Sequence, residues 1–143
     1  MAYNLLKGKK GIIFGALNEQ SIAWKVAEKA YEEGAEIVLT NAPSALRMGT
    51  INELAEKTNA QVIAADATSL EDLENLFQKS MEALGGKVDF VLHSIGMSPN
   101  VRKGLDYDAL NYGYYHKTLD VCAFSLHKVL STARKLDAIN EWG

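Results

Sequence analysis

The sequence contains very little cysteine and proline. Among its 143 residues there are one cysteine, Cys122, and two prolines. A single thiol cannot form an internal disulfide and cannot assemble a thiolate zinc site, so a disulfide-bonded domain and a cysteine-based zinc domain are both excluded. Low cysteine content is typical of a reducing compartment, and we therefore expect a cytoplasmic protein.

An excess of basic charge and a long apolar run are also missing. The 15 lysines and arginines are outnumbered by 18 aspartates and glutamates, which gives a formal net charge of −3. That balance does not supply the basic stripe that nucleic acids require, so we expect no nucleic-acid partner. The first residues reach Lys7 and Gly8 before any long apolar run, which predicts no secretory signal, no transmembrane span and no membrane partner.

Hydrophobic residues are plentiful by comparison. They make up 48% of the chain against 23% charged residues, which is enough for a core in a chain of this size. No repeat, low-complexity stretch or linker divides the sequence, so we predict a single domain over residues 1–143. The three histidines, His93, His116 and His127, are scattered without a carboxylate pattern, and no metal site is expected.

Short apolar runs predict four strands. They cover residues 10–14, 36–40, 61–65 and 88–92, and helical patterns separate them. This alternation predicts an α/β fold, a three-layer, Rossmann-like, doubly wound parallel sheet with right-handed crossovers and the strand order 3-2-1-4. In that order residues 88–92 form an edge, which Asp89 alone protects poorly. We therefore expect an incomplete sheet that holds the first four strands and their helices.

Helix signals fill the segments between the strands. The first helix is expected to start at Ser21 and stop at Gly34, and the third to start at Ser69 and stop at Gly85. A second helix is expected within residues 45–57, where Thr50 and Glu53 offer a capping box. Both prolines, Pro43 and Pro99, are expected in connections.

A long final helix is predicted over residues 114–136. Its apolar residues are spaced by four and three, at Leu119, Ala123, Leu126, Leu130 and Ala133. A second apolar face has no obvious partner within the 143 residues and carries Val121, Phe124 and Leu136.

The ends of three predicted strands carry small or polar residues. They read Gly15-Ala16, Asp66-Ala67-Thr68 and His93-Ser94-Ile95-Gly96. In an open parallel sheet the ligand crevice lies beyond the carboxyl ends of the strands, so these segments would share one rim. The coincidence of all three is more specific than any one of them.

The first of these segments leads directly into the helix that begins at Ser21. Unpaired N–H groups and the positive end of the helix dipole favour an anion there, such as a pyrophosphate. Only one glycine of the Gly-x-Gly-x-x-Gly pattern is present, so an ordinary strand-to-helix turn is an equal alternative on this evidence. Asp66 is suited to accept a hydrogen bond from an adenine amino group, with a solvated strand-end carboxylate as the alternative.

Taken together, these segments resemble a known family. The Ser21-Ile22-Ala23 run after Gly15, the Asp66-Ala67 pair and the His93-Ser94-Ile95-Gly96 run are similar to the enoyl-acyl carrier protein reductase branch of the short-chain dehydrogenase/reductase superfamily. The wider superfamily has Thr-Gly-x-x-x-Gly-x-Gly and Asn-Asn-Ala-Gly at these places. The resemblance runs from Leu5 to about Leu136, and it implies hydride transfer from a nicotinamide cofactor to the β-carbon of an enoyl thioester in fatty acid synthesis.

The resemblance also implies a role for each matching residue. The pyrophosphate and the adjoining ribose would be held by Gly15, Ala16, Ser21 and Ile22. Asn41 and Ala42 would lie near the adenine ribose, and Asp66 and Ala67 would frame the adenine. The path to the nicotinamide ribose would be lined by Ser94, Ile95 and Gly96, with Met97 and Ser98 at the mouth of the acyl pocket.

NADH is the cofactor that the resemblance implies. The second strand ends in Thr40-Asn41-Ala42, without the acidic residue that usually binds the ribose 2′-hydroxyl, so the residues themselves do not distinguish NADH from NADPH. Arg47 is a candidate for pairing with a 2′-phosphate, and a solvated helix arginine is at least as good an interpretation.

The catalytic pair of this branch is spaced Tyr-x6-Lys and follows a fifth strand, and no such pair occurs in the chain. The cluster of Tyr112, Tyr114 and Tyr115 with Lys117 is better interpreted as a helix start with aromatic packing, and Cys122 as an inert thiol. We therefore expect the catalytic residues and the fifth strand beyond Gly143. The chain would then be a cofactor-binding N-terminal half that is inactive by itself.

The resemblance implies two kinds of partner. One is an enoyl thioester on acyl carrier protein, and the other is further copies of the chain, because the long helix would pack in a four-helix contact of a homotetramer. Two alternatives stay open. A non-catalytic nucleotide-binding or interaction module would use the same rim without hydride transfer, and a ketoacyl reductase is disfavoured because His-Ser-Ile-Gly replaces Asn-Asn-Ala-Gly.

Overall fold

A four-stranded parallel sheet lies at the centre of the structure, a computed structural model that describes residues 2–143. Its strands are β1 (Lys10–Phe14), β2 (Glu36–Asn41), β3 (Gln61–Ala64) and β4 (Phe90–His93). They lie in the order β3-β2-β1-β4, and all three neighbouring pairs are parallel. The predicted fold class and strand order are both confirmed.

Seven α-helices are described. They are α1 (Ile22–Glu32), α2 (Pro43–Met48), α3 (Ile51–Thr58), α4 (Leu70–Leu84), α5 (Pro99–Arg102), α6 (Tyr112–Leu119) and α7 (Ser125–Lys135). A 3₁₀ turn covers Tyr107–Ala109, and a π-helical segment, Asp120–Phe124, joins α6 to α7. A membrane span would require a longer apolar helix than any described between residues 2 and 143.

The prediction that both prolines lie in connections was wrong. Pro43 and Pro99 are the first residues of α2 and α5. The first N–H groups of a helix have no partner inside it, so proline loses nothing at this position and its fixed φ angle suits the helix. The two connections in which these prolines were predicted to lie therefore contain short helices.

Each face of the sheet carries its own hydrophobic cluster, because successive strand residues point to opposite faces. One cluster joins the sheet to α1 and α3, through Ile13, Leu39, Trp24 and Leu54. The other joins it to α4 and α7, through Ile12, Val38, Phe77 and Val129. The sheet is thus the middle of three layers.

The buried face of α1 consists of one large aromatic residue and small alanines. Trp24 is fully buried beside Ala23 and Ala27, whereas Ile22 is 75% and Val26 36% exposed. The large indole fills the space against the sheet, and the small alanines let the helix approach closely. The residues Ser21 and Gly34 predicted where the helix lies, and the burial of Trp24 shows which of its faces packs against the sheet.

The helix predicted within residues 45–57 is two helices, α2 and α3, separated at Gly49 and Thr50. The expected capping box is not formed, because Glu53 N–H bonds to the backbone oxygen of Thr50 (2.9 Å) and the Thr50 side chain caps nothing. Thr50 N–H instead donates to the Leu17 carbonyl at 2.9 Å. This contact holds the α2–α3 junction against the loop that follows β1.

The long final helix is interrupted by the π-helical segment at Asp120–Phe124. A π turn holds an extra residue, so the side chains after it are rotated by about 100° relative to a continuous α-helix. The buried residues of α7 are Ser125, Val129, Thr132 and Ala133. Of the predicted stripe only Ala133 is buried, while Leu126 and Leu130 are 43% and 44% exposed, so that stripe was wrong as an inner face.

A short parallel pairing follows α7. Val88 N–H donates to the Ala138 carbonyl (2.8 Å), and Asn140 N–H donates to the Val88 carbonyl (2.9 Å). We expected any further strand to begin beyond Gly143, whereas residues 138–140 already pair beside the start of β4. The Asp89 side chain does not protect the β4 edge of the sheet with a free charge. Its carboxylate instead accepts hydrogen bonds from Lys10 N–H and from Asn140 Nδ2.

Candidate functional site

The loops after β1 and β4 meet at Gly15. Its φ angle is +97°, and a Cβ atom at this position would lie 1.9 Å from the Ser94 carbonyl oxygen. Only glycine adopts this conformation without strain and allows the two backbones to come so close. Gly15 N–H also donates to the Thr40 carbonyl at 3.1 Å, so three strand ends are held together here.

Ser21 organises the loop between Gly15 and α1. Its hydroxyl oxygen accepts from the N–H groups of Leu17 and Asn18, both at 3.1 Å. We expected this side chain to cap α1, and it does not, because it turns back toward the loop. Trp24 N–H donates to the Ser21 carbonyl at 3.1 Å, whereas the N–H groups of Ile22 and Ala23 have no acceptor among the described residues and are available to an anion at the positive end of the helix.

Asn41 fixes the end of β2 to the same loop. Its Nδ2 donates to the Ala16 carbonyl and its Oδ1 accepts from Ala42 N–H, both at 2.9 Å. The resemblance placed Asn41 near a ribose, and in the structure its Nδ2 and Oδ1 each make one hydrogen bond within the protein. The structure therefore gives Asn41 a positioning role, which no pattern in the sequence indicated.

Asp66 forms a tight turn after β3. Its Oδ1 accepts from the N–H and the hydroxyl of Thr68, at 2.8 and 2.7 Å. Partial burial by itself raises the pKa of Asp66, but the Thr68 hydrogen bonds, together with Lys117 and Lys128, hold the pKa below its ordinary value. Asp66 is therefore ionised near neutral pH, and no hydrogen-bond donor among residues 2–143 bonds to its Oδ2.

His93 turns away from this edge of the sheet. Its Nε2 lies 2.8 Å from the hydroxyl of buried Ser125, which itself donates to the Val121 carbonyl at 2.6 Å. Because the hydroxyl has one proton, we assign Nε2–H of His93 as the donor. Burial lowers the pKa of His93. The His93 ring packs near Phe14 and α7.

Cys122 positions the segment that follows Gly96. Its sulfur accepts from Met97 N–H at 3.2 Å and lies 3.4 Å from the Met97 carbonyl oxygen, to which the thiol donates. Cys122 belongs to the π-helical segment, so this part of the long helix is fixed to the loop after β4.

One open cavity of about 360 Å³ runs across the carboxyl edge of the sheet, within the size range of small-molecule sites. We call it the crevice. The residues that were predicted for the site and that line the crevice are Gly15, Ser21, Asn41, Ala42, Asp66, Ser94, Ile95, Gly96 and Met97. A small adjoining recess is lined by Ala67 and Val121 in addition to Phe14, Asp66 and Ile95.

Three predicted site residues lie outside the crevice lining. Ala16 is buried in the core below the loop, and its carbonyl binds Asn41. Ile22 points to solvent on α1. The Ser98 hydroxyl accepts from Val101 N–H at 3.4 Å and so begins α5.

Several lining residues were missed by sequence reasoning. They are Leu17, Ser44, Ala45, Met48, Arg102 and Lys117. Ser44, Ala45 and Met48 belong to α2. The start of this helix was not predicted, because Pro43 was expected to lie in a connection. Arg102 ends α5, the helix that begins at Pro99, where a connection was predicted. Arg47 does not line the crevice. Among residues 2–143 no group of His, Cys, Asp or Glu side chains could hold a metal ion.

Comparison with known proteins gives consistent matches. A family model described as enoyl-(acyl carrier protein) reductase matches residues 15–143. A curated relative, the NADH enoyl-acyl-carrier-protein reductase FabI of Rickettsia bellii, is 34% identical over 138 residues, which cover 95% of this chain and 52% of the relative. The chain thus spans about half the length of the curated relatives it matches.

Two solved structures share the fold. The FabI–NADH complex from Alistipes finegoldii superposes with a TM-score of 0.96 at 72% identity, covering 99% of this chain and 50% of that one. The Anaplasma phagocytophilum enoyl-(acyl-carrier-protein) reductase in complex with NAD has a TM-score of 0.81 at 26% identity, covering 95% of this chain and 52% of that one.

Proposed function

The chain belongs to the enoyl-(acyl carrier protein) reductase family, and from this membership we propose that its 143 residues form the cofactor-binding half of an NADH-dependent enoyl thioester reductase of fatty acid synthesis. The observation that carries the proposal is the crevice, where the ends of β1, β3 and β4 and the start of α1 converge. The chain covers about half of two relatives that are named as NADH reductases, and these names support NADH as the cofactor.

The residues present fit a dinucleotide. Gly15 leaves no side chain between the two loops, and the first N–H groups of α1 are not capped by a side chain. These amides would hold the diphosphate. Asp66 would accept from the adenine amino group through its Oδ2, because its Oδ1 is already bonded to Thr68.

The remaining roles follow the position of each residue along the crevice. Ser94, Ile95 and Gly96 would seat the nicotinamide ribose, and Met97, fixed by Cys122, would stand with Ser98 at the mouth of the acyl pocket. When bound, NADH supplies the hydride that adds to the β-carbon of the enoyl thioester. This chain's residues bind and orient the cofactor and do not move a proton.

We place the catalytic tyrosine and lysine outside these 143 residues, so that the chain alone is inactive. In support, no tyrosine among residues 2–143 lines the crevice. Tyr112 is 80% and Tyr115 51% exposed, and the Tyr114 ring packs under the Lys103 ammonium. Residues 138–140 beside Val88 would be the beginning of the fifth strand that precedes the missing pair.

The proposal extends to partners and compartment. The substrate would be carried by acyl carrier protein in the cytoplasm. A homotetramer would form through the long helix, where Leu126 and Leu130, one turn apart, are 43% and 44% exposed. An exposed apolar pair on one side of a helix is suited to a contact between subunits.

Cofactor titration tests the proposal. We expect the chain to bind NADH saturably, with a Kd below about 1 mM, the upper end of ordinary substrate affinities. The variant D66A should weaken binding about tenfold, since it removes a hydrogen bond to a charged group. The matched control is D106A, which removes an exposed carboxylate outside the crevice. Absence of saturation, or equal effects of both variants, would refute the cofactor site.

Turnover separates the half-enzyme from a non-catalytic binding module. The chain alone should not reduce an enoyl thioester. Addition of a second polypeptide that carries the C-terminal half of a full-length relative should restore reduction. Turnover by the chain alone would show that the catalytic pair lies within these residues, and binding without restoration would favour the binding module.

A further inference from the structure

Two basic side chains line the crevice without an ionic partner. They are Arg102 at the end of α5 and Lys117 on α6. No carboxylate of residues 2–143 lies within ion-pair distance of either, whereas Lys128, for example, is paired with Asp120 at 2.7 Å. The only acidic side chain in the crevice lining is Asp66. The crevice lining therefore has two basic side chains against one acidic side chain.

The two cations are held on one scaffold by Asn100. This asparagine is buried at 4% exposure. Its Oδ1 accepts from Asn111 N–H at 3.0 Å and its Nδ2 donates to the Asn111 carbonyl at 3.2 Å. Asn111 in turn caps α6 by accepting from Tyr114 N–H at 3.0 Å. One buried amide thus joins the helix that carries Arg102 to the helix that carries Lys117.

The scaffold lowers the cost of ligand binding at these side chains. Side chains that project from ordered helices lose less freedom on binding than those of a mobile loop. Ser98 strengthens this by capping α5, with Arg102 N–H donating to the Ser98 carbonyl at 3.0 Å. Lys117 also lies close enough to Asp66 to act on its charge. Lys128 is not available in the same way, because it is bonded to Asp120 and to the Thr68 carbonyl.

We propose that Arg102 and Lys117 form an anion subsite of the crevice that takes a phosphate group of a bound ligand, separate from the backbone amides between Gly15 and α1. The proposal rests on the proposed function, because it assumes a ligand in the same crevice. A guanidinium supplies a planar pair of donors and an ammonium a point charge, a combination suited to phosphate oxygens. The phosphate belongs to the phosphopantetheine arm of the thioester or, where NADPH takes the place of NADH, to the adenosine ribose of the dinucleotide.

Paired probes that differ by one phosphate test the subsite. One pair is NADH and NADPH, and the other is crotonyl-pantetheine and crotonyl-4′-phosphopantetheine. Each dissociation constant is measured by calorimetry for the unchanged chain, for R102Q/K117Q and for the control K7Q/K79Q. The control removes the same charge from Lys7 and Lys79, which are exposed and do not line the crevice. If the natural polypeptide is longer, the same variants are made in it.

We expect R102Q/K117Q to weaken one phosphate-bearing probe about tenfold relative to its phosphate-free partner, as for the loss of hydrogen bonds to a charged group. The control should leave both ratios unchanged, and R102K/K117R should restore most of the loss. A selective effect on NADPH identifies the adenosine phosphate, and one on the phosphopantetheine thioester identifies the substrate arm.

Other outcomes overturn the subsite. An equal loss for NADH and NADPH, without a thioester effect, would mean that the side chains act on the shared diphosphate or on the fold. No change in either ratio would mean that both cations are merely solvated. If the unchanged chain binds neither dinucleotide, the proposed function is wrong, and the thioester pair alone then decides the subsite.

Discussion

Gly15 is the residue on which the shape of the crevice depends most. Its φ angle of +97° and the distance of only 1.9 Å that would separate an added Cβ from the Ser94 oxygen exclude any side chain by two separate effects. We expect G15A to lose about 2–5 kcal/mol of unfolding free energy, the sum of about 1–2 for a left-handed residue and about 1–3 for the overlap. Urea denaturation measures this loss.

Gly8 provides the control for G15A. Its φ angle is +75°, but nothing lies within 4 Å of the Cβ position. G8A should therefore lose only the conformational part, about 1–2 kcal/mol. Equal losses in the two variants would show that the contact between Gly15 and Ser94 does not contribute.

Glu33 fastens the N-terminal segment to the end of α1. Its Oε2 accepts from the N–H groups of Tyr3 and Leu5 at 2.9 and 3.2 Å, and its side chain is 7% exposed. The bond from Leu5 N–H, opposed by burial and aided by Tyr3 N–H, lowers the pKa of Glu33. The unfolded chain therefore binds a proton more readily than the fold, and the stability from Glu33 is lost as pH falls from about 4.3 through the lowered pKa.

E33Q should lower the melting temperature at pH 7, and its difference from the unchanged chain should shrink as the pH is taken below about 4. Thermal unfolding followed by circular dichroism measures both. The neighbouring Glu32 is the control, because it is 59% exposed and pairs with Lys29 alone. A pH-independent difference between E33Q and the unchanged chain would contradict this account.

At the scale of elements, the π-helical segment determines how the long helix faces the sheet. It brings Ser125 under His93, where the hydroxyl bonds to both His93 and the Val121 carbonyl. We expect S125A to lose about 1–3 kcal/mol of unfolding free energy, because the His93 N–H is left without its partner in a half-buried place. Denaturant unfolding checks this value.

Ser131 lies on the exposed side of the same helix, and its hydroxyl bonds only to the Lys128 carbonyl. S131A should change the unfolding free energy by less than about 0.5 kcal/mol, as surface substitutions usually do. Similar losses for S125A and S131A would mean that the bond from His93 to Ser125 does not stabilise the helix in this orientation.

The elements themselves were well predicted where the signal is local. β1 has the predicted bounds, and α4 begins after Ser69 and ends at the left-handed Gly85 as expected. The bounds of β4 were shifted, since Val88 pairs with Ile139 instead of continuing the strand beside β1. Strand ends depend on which neighbour supplies the hydrogen bonds, and apolar runs do not encode this.

At the scale of the whole molecule, both faces of the sheet are covered, whereas the outer side of the long helix carries exposed Leu126 and Leu130. If this stripe joins subunits, L126K/L130K should lower the molar mass measured by light scattering while leaving the melting temperature of the separated chain nearly unchanged. Charges on an apolar contact oppose association because each would be buried without a partner.

Leu70 provides the matching control, since it is 55% exposed at the start of α4. L70K should leave the molar mass as it is. An oligomer that survives L126K/L130K, or a monomer before any substitution, would contradict the proposed subunit contact.

For the crevice, the sequence predicted which residues lie at the strand ends, but it did not predict the hydrogen bonds that those residues make. Gly15, Asp66 and the Ser94–Gly96 run were found because small or polar residues follow apolar strands, and the sheet order brings such ends together. Asn41 and Cys122 were not understood, because their hydrogen bonds reach Ala16 and Met97, which only the fold brings near. Arg102 and Lys117 were missed for the same reason.

The sequence by itself determined the number of strands and their order, because apolar periodicity and short connections leave few ways to build a parallel sheet. It also determined the place of the crevice, since that place is set by the strand ends. Tertiary structure alone decided which face of α1 and α7 is buried, where His93 points, and that residues 138–140 pair with Val88. Those outcomes depend on side-chain size and on partners distant in sequence, which a local pattern does not contain.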